Sequence, residues 1–142
     1  MEIETNSALY KQLTGLAGTY EVAKQLCLKN YNVSLTQKNF PSVDMFVQNP
    51  KNGKSVPIQV KAQRIANAGG FDISCKCLNI PELIVVFMAF ESLKKKEMEF
   101  YIASAEEVKP KVVGEKREGI SRKSILEAGW ENHWDKIEQR LK

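Results

Sequence analysis

The chain has 142 residues, a length that suits one domain spanning 1–142. Hydrophobic residues make up 43% and charged residues 27%, enough for a core that needs neither metal nor disulfide staples. The formal net charge of +4 is mildly basic and points only weakly to a polyanionic partner.

No run approaches the roughly 20 apolar residues that cross a bilayer, and Met1 to Thr5 lacks the basic and apolar regions of a secretory signal. A cytoplasmic protein with no membrane partner is expected. Cys27, Cys75 and Cys77 cannot pair evenly and read as reduced thiols, buried as small hydrophobes. Cys75 and Cys77 would share a strand face, but zinc needs further ligands, and the sole histidine, His133, is distant in sequence.

Ser7 to Lys29 reads as a long helix. Leu9, Leu13, Leu16, Tyr20, Ala23 and Cys27 recur at threes and fours and form its apolar arc, the side that ordinarily faces a core. Gly15 and Gly18 weaken this helix and imply close packing beside it. Glu21 falls at the margin of the arc, where a carboxylate either faces a cleft or is simply solvated. Tyr31 to Leu35 alternates like a short strand, and Thr36 to Ser42 is a polar loop.

Val43 to Gln48 and Ser55 to Gln63 are strand-like, and the Asn-Pro-Lys-Asn-Gly-Lys between them has turn chemistry. If Gln48 and Ser55 flank the turn symmetrically, Asp44 lies opposite Gln59. Lys61 then shares the face of Gln59, while Val56, Ile58 and Val60 point to a core on the other side. A bulge at Gly53 would shift this register.

Further on, Phe71 to Cys75 reads as a third strand behind a flexible loop, Ala66 to Gly70. Leu83 to Phe90 is a fully apolar strand, and Met98 to Ala103 is another, preceded by the basic turn Lys94-Lys95-Lys96. Ser104 with Glu107 three residues on marks a helix start. Glu131 to Lys142 reads as a terminal helix with Trp130, Trp134, Ile137 and Leu141 as its apolar stripe. A helix, several strands and then helices make an α/β domain.

Asp44, Gln59 and the backbone carbonyl of Val60 are oxygen donors suited to a hard cation, with Glu21 as a second carboxylate. Lys61 can activate an attacking water or neutralise developing charge. A solvated polar strand face would carry the same residues without any chemistry.

Gly18-Thr19-Tyr20-Glu21-Val22-Ala23, then Asn30 to Leu35, then Pro41-Ser42-Val43-Asp44, then Ile58-Gln59-Val60-Lys61 resembles the PD-(D/E)XK nuclease superfamily, in its branch of short bacterial and intron-encoded homing endonucleases. The resemblance covers residues 15 to 63 well and 81 to 108 more loosely. It implies a restriction-endonuclease-like core, a central mixed β-sheet flanked by helices. It also implies an endonuclease that hydrolyses DNA with Mg²⁺ or Mn²⁺ and an active site made by Glu21, Asp44, Gln59 and Lys61. Two departures stand out: Pro41 is three residues before Asp44, and Gln59 replaces the middle acid. Glutamine keeps an oxygen ligand but removes one negative charge, which leaves open a weak or inactive nucleic-acid-binding module.

Lys54, Gln63, Arg64, Lys94, Lys95, Lys96, Arg122 and Lys123 are the expected DNA contacts, with Lys51, Lys109, Lys111, Lys116 and Arg117 as further cations. For any one of the lysines, an ordinary solubilising surface charge is the favoured reading. One site per chain and two strands to cut imply a homodimer or a dimer of dimers. A junction resolvase and a protein-interaction subunit without nucleic-acid affinity are the competing readings.

Overall fold

A computed structural model describes residues 2–37, 40–94 and 96–142. Its centre is a five-stranded mixed sheet. Helix α1 (Ala8–Leu28) leads into β1 (Asn32–Leu35), β2 (Met45–Gln48) and the long β3 (Ser55–Ile65). A short β4 (Phe71–Asp72) and a 3-10 turn (Cys75–Asn79) precede β5 (Ile84–Glu91) and β6 (Glu99–Ser104). After α2 (Ala105–Val108) come β7 (Gly119–Ile120), α3 (Arg122–Ala128) and α4 (Asp135–Arg140). The main sheet runs β1-β2-β3-β5-β6, and β4 with β7 makes a second, two-stranded sheet. The expected class, a mixed sheet flanked by helices, holds. No helix among the described residues is long and apolar enough to cross a membrane.

The main sheet is apolar on both faces. On one, Val56, Ile58 and Val60 join Met45, Val47, Val86, Met88 and Ile102 beneath Val22 and Leu26 of α1 and Ile137 and Leu141 near the C-terminus. On the other, Val85, Phe87, Tyr101 and Ala103 pack against Ile73, Leu78, Ile120, Ile125 and Trp130. That second layer holds the small sheet, the 3-10 turn, α2 and α3. Strand β5, buried from Ile84 to Ala89, serves both layers, which explains its unbroken apolar sequence.

The β2–β3 hairpin has the expected register, with Gln48 opposite Ser55 and Met45 opposite Ile58. Its turn is held to the chain's end, because the Asn49 and Asn52 amides both donate to the Leu141 carbonyl, at 2.7 and 3.0 Å. Strand β3 then runs parallel to β5, with Gln59 beside Val85 and Lys61 beside Phe87.

Four expectations need correction. The arc Leu9, Leu13, Leu16 and Tyr20 does not face the core: these side chains are 42–56% exposed. The helix instead seats Thr14, Gly18, Val22 and Leu26 on the sheet. Gly18 is the reason. It brings the helix so close to β3 that any Cβ there would collide with the Ala62 Cβ. Second, Phe71 to Cys75 is a strand only at its first two residues, since Ser74 caps a 3-10 turn through the Lys76 N–H. Cys75 and Cys77 therefore do not share a strand face. Third, Cys27 is exposed. Fourth, the terminal helix covers only Asp135–Arg140, and Trp130 precedes it, stacked on Phe87 in the other layer.

Candidate active site

The hairpin register decides the geometry. Residues opposite one another across an antiparallel pair point to the same face. Met45 and Ile58 are both buried on the α1 side, so Asp44 and Gln59, one position back and one position on, lie on the other side. Lys61 follows two residues later on that same face. Three of the four expected site residues are thereby neighbours.

Strand β2 begins only at Met45, but its pairing continues. The Asp44 N–H donates to the Ile58 carbonyl at 2.8 Å. The next inward-pointing group of β3, the Val60 N–H, has no strand partner left, and the Asp44 carboxylate takes it, with Oδ2 accepting at 2.7 Å. A residue's N–H and C=O lie on the same edge of an extended strand, so the Val60 carbonyl is turned toward Asp44 too. Burial pushes the Asp44 carboxyl above the ordinary carboxylate range, against the opposing pull of the Val60 N–H and the nearby Lys61 ammonium.

Gln59 is 6% exposed, and its side-chain oxygen is buried with no hydrogen-bond partner. Such an orphaned acceptor costs about 1–3 kcal/mol. It sits beside a half-buried carboxylate. An unpartnered amide oxygen next to a carboxylate with one donor, the Val60 N–H, fits a hard cation held by Asp44, Gln59 and the Val60 carbonyl.

Glu21 stands apart from this trio. Its side chain is only 11% exposed, so it is not the free surface glutamate of the blander reading. Yet its carboxylate is held on its own helix, by the Lys24 ammonium at 2.8 Å and the Gln25 amide at 3.2 Å. Among the described residues no three histidine, cysteine or acidic side chains gather into a metal cluster.

A carboxylate that the sequence reading missed lies nearby. Asp72 of β4 accepts two hydrogen bonds from Arg117, at 3.0 and 2.7 Å. The Arg117 guanidinium holds its carboxyl below the usual range, and Lys11 and Lys61 add to the effect. No local motif marks Asp72, because its partner is 45 residues away.

Several expected DNA contacts have intramolecular work. Arg122 is tied to Glu99 by bonds of 2.5 and 3.1 Å, with side chains 15% and 10% exposed. Gln63 braces the following loop through the Gly70 carbonyl and the Asn67 N–H. Arg64 lies over the Tyr10 ring and donates to Thr14 at 2.7 Å, fastening α1 to β3. The Lys54 ammonium meets the backbone oxygen of Lys142. Lys94, Lys96 and Lys123 are exposed, and Lys95 lies outside the described residues.

No family model and no curated protein sequence matches the chain. Among solved structures, it is similar to a bacterial homing endonuclease, I-Ssp6803I, with a TM-score of 0.59 over 91% of this chain and 93% of that one. The likeness is one of fold. At 13% identity it extends to almost the whole of both chains without a matching sequence.

Proposed function

We propose that this chain is a divalent-metal-dependent DNA endonuclease of the PD-(D/E)XK kind, with glutamine in place of the middle acid. The observation that carries the reading is the orphaned, buried Gln59 oxygen beside the Asp44 carboxylate, with Lys61 on the same face. The fold likeness to a homing endonuclease supports it.

Asp44, Gln59 and the Val60 carbonyl would hold Mg²⁺ or Mn²⁺, while Glu21 stays engaged by Lys24 and Gln25 on α1. The bound cation supplies charge relief and Lewis acidity at the phosphodiester. Asp44 must be ionised to serve, so the raised carboxyl pKa makes metal binding weaken in acid. The Val60 N–H fixes the Asp44 carboxylate in place. Lys61 donates positive charge to the phosphate as negative charge develops there, or takes a proton from the attacking water.

The test is supercoiled plasmid incubated with Mg²⁺ or Mn²⁺ and followed to nicked and linear forms. Wild type cuts, while Asp44→Ala and Lys61→Ala each lose at least about 100-fold in rate. A linear duplex and a four-way junction run alongside separate a homing or restriction-type enzyme from a junction resolvase.

A second reading has its own observation. The lost charge at Gln59 and the engagement of Glu21 by Lys24 favour a module that binds DNA without cutting it. Intact plasmid in every arm, with a salt-dependent gel shift, selects that reading. Absence of any shift at low salt selects a protein-interaction subunit.

A further inference from the structure

Asp72 and Arg117 form an ion pair whose side chains are 65% and 76% exposed. A pair so open to water adds little to stability. The backbone nevertheless fixes both partners closely. Asp72 is paired with Gly119 across the small sheet, and Arg117 lies two residues before Gly119. Val113 and Gly119 close the loop that carries Arg117 with two backbone hydrogen bonds, each 2.9 Å. Gly114, with φ +109°, lies so close to the Arg117 carbonyl that any Cβ there would strike it.

The pair lies beside Lys61. Gln63, two residues past Lys61 and on the same face of β3, donates to the Gly70 carbonyl at 2.6 Å. The Phe71 ring packs on Phe87, centroids 5.1 Å apart, and Phe87 is the sheet neighbour of Lys61. These two contacts pin the start of β4 next to Lys61, and Asp72 is the residue that follows. Lys61 and Lys11 are both near enough to act on its charge. One carboxylate among three cations leaves positive charge unmatched.

The bonding atoms show which part of Arg117 is committed. Nε donates to Asp72 Oδ1 at 3.0 Å and Nη2 to Oδ2 at 2.7 Å. Asp72 thereby takes one edge of the guanidinium and two of its five N–H groups. The other three include the Nη1–Nη2 tip, a fork that matches two oxygens of a phosphate. On the endonuclease reading of the same site, on which this inference rests, we propose that Asp72 is a positioning residue. It holds the Arg117 fork for a DNA backbone phosphate next to the one cut beside Lys61. A lysine would supply the charge alone, whereas a fork braced by a carboxylate also supplies direction.

The consequence runs against simple charge counting. Removing an acid from a DNA-facing surface ordinarily tightens binding, and here it should weaken it. Fluorescence anisotropy of a labelled duplex in EDTA, across a salt series, is the test. Arg117→Ala should bind about tenfold more weakly and lower the salt slope by about 1. Arg117→Lys should keep the slope, since its charge is intact, yet bind about threefold more weakly for want of the fork. Asp72→Ala should weaken binding about threefold in the wild-type background and not at all beside Arg117→Lys, where there is no fork to hold. Should Asp72→Ala unfold the chain, Asp72→Asn takes its place with the same two expectations. Tighter or unchanged binding by the Asp72 variant in the wild-type background, or an unmoved slope in Arg117→Ala, overturns the proposal alone. A wild type that binds no duplex at low salt overturns it together with the DNA reading.

Discussion

The Asp44 carboxylate accepts the backbone N–H of Val60 across the open end of the β2–β3 hairpin, at 2.7 Å. A side chain thus completes a ladder that the backbone abandons. The same bond holds the carboxylate against the neighbour of Gln59, where the buried unpaired oxygen lies. Structure and chemistry meet at one residue.

Asp44→Asn should stabilise the metal-free protein while abolishing cleavage. Burial raises the Asp44 carboxyl in the fold, so the native state favours the protonated form. That contribution is complete below the unfolded carboxylate's pKa and is lost as the pH climbs through the raised one. At neutral pH the ionised group is a burden. Asparagine keeps the acceptor for Val60 and removes the charge. A rise in Tm of ~1–4 °C in EDTA at pH 7.5 is expected, shrinking toward pH 4. A lower Tm at pH 7.5 would contradict it.

Gln59→Glu places a second carboxylate in a nearly closed position beside Asp44. Without metal it should cost about 2–4 kcal/mol at neutral pH, through burial and like-charge repulsion. Millimolar Mg²⁺ should return most of that loss, with wild type gaining less. Urea melts with EDTA and with Mg²⁺ measure both. Equal Mg²⁺ effects on the two proteins would argue against a cation between these residues.

The two glycines of α1 should respond oppositely to alanine. Gly18→Ala drives a methyl into Ala62 and should cost about 1–3 kcal/mol despite alanine's helix propensity. Gly15→Ala meets open space and should gain about 0.5–1 kcal/mol. Chemical denaturation of the two variants beside wild type measures both effects.

Arg122→Ala should act on stability rather than on DNA. Its pairing with Glu99 is largely shielded from water, so removing it should cost about 2–3 kcal/mol. The salt slope of DNA binding should not move. Arg117→Ala breaks an exposed pair with Asp72 and should cost under about 1 kcal/mol. A thermal melt and a salt titration of the gel shift check all three outcomes.

The hairpin was legible because its information is local. Turn residues and period-two alternation fix the register, and with it the shared face of Asp44, Gln59 and Lys61. Ser104 and Glu107 likewise form the expected capping box. What escaped detection depends on distance or on room. The pairing of Phe71 with Ile120 joins two strands of two residues each, too short to show a period. Helix α3 buries only Ile125, which leaves no stripe to read. Periodicity points to the wrong face of α1 because it rewards size: it selects leucines, whereas the sheet takes the face with Gly18, where the backbone comes nearest. Glu21 could be assigned to the site only by resemblance, since its side chain bonds within its own helix.

Strand β3 presents Lys61 on one side and Ala62, pressed against Gly18, on the other. The two faces are one peptide bond apart, so whatever displaces the helix displaces the lysine. Positions 18 and 62 should therefore change in tandem over evolution, a gain of bulk at one answered by a loss at the other. A lineage that let them drift separately would forfeit the alignment of Lys61 before it forfeited the fold.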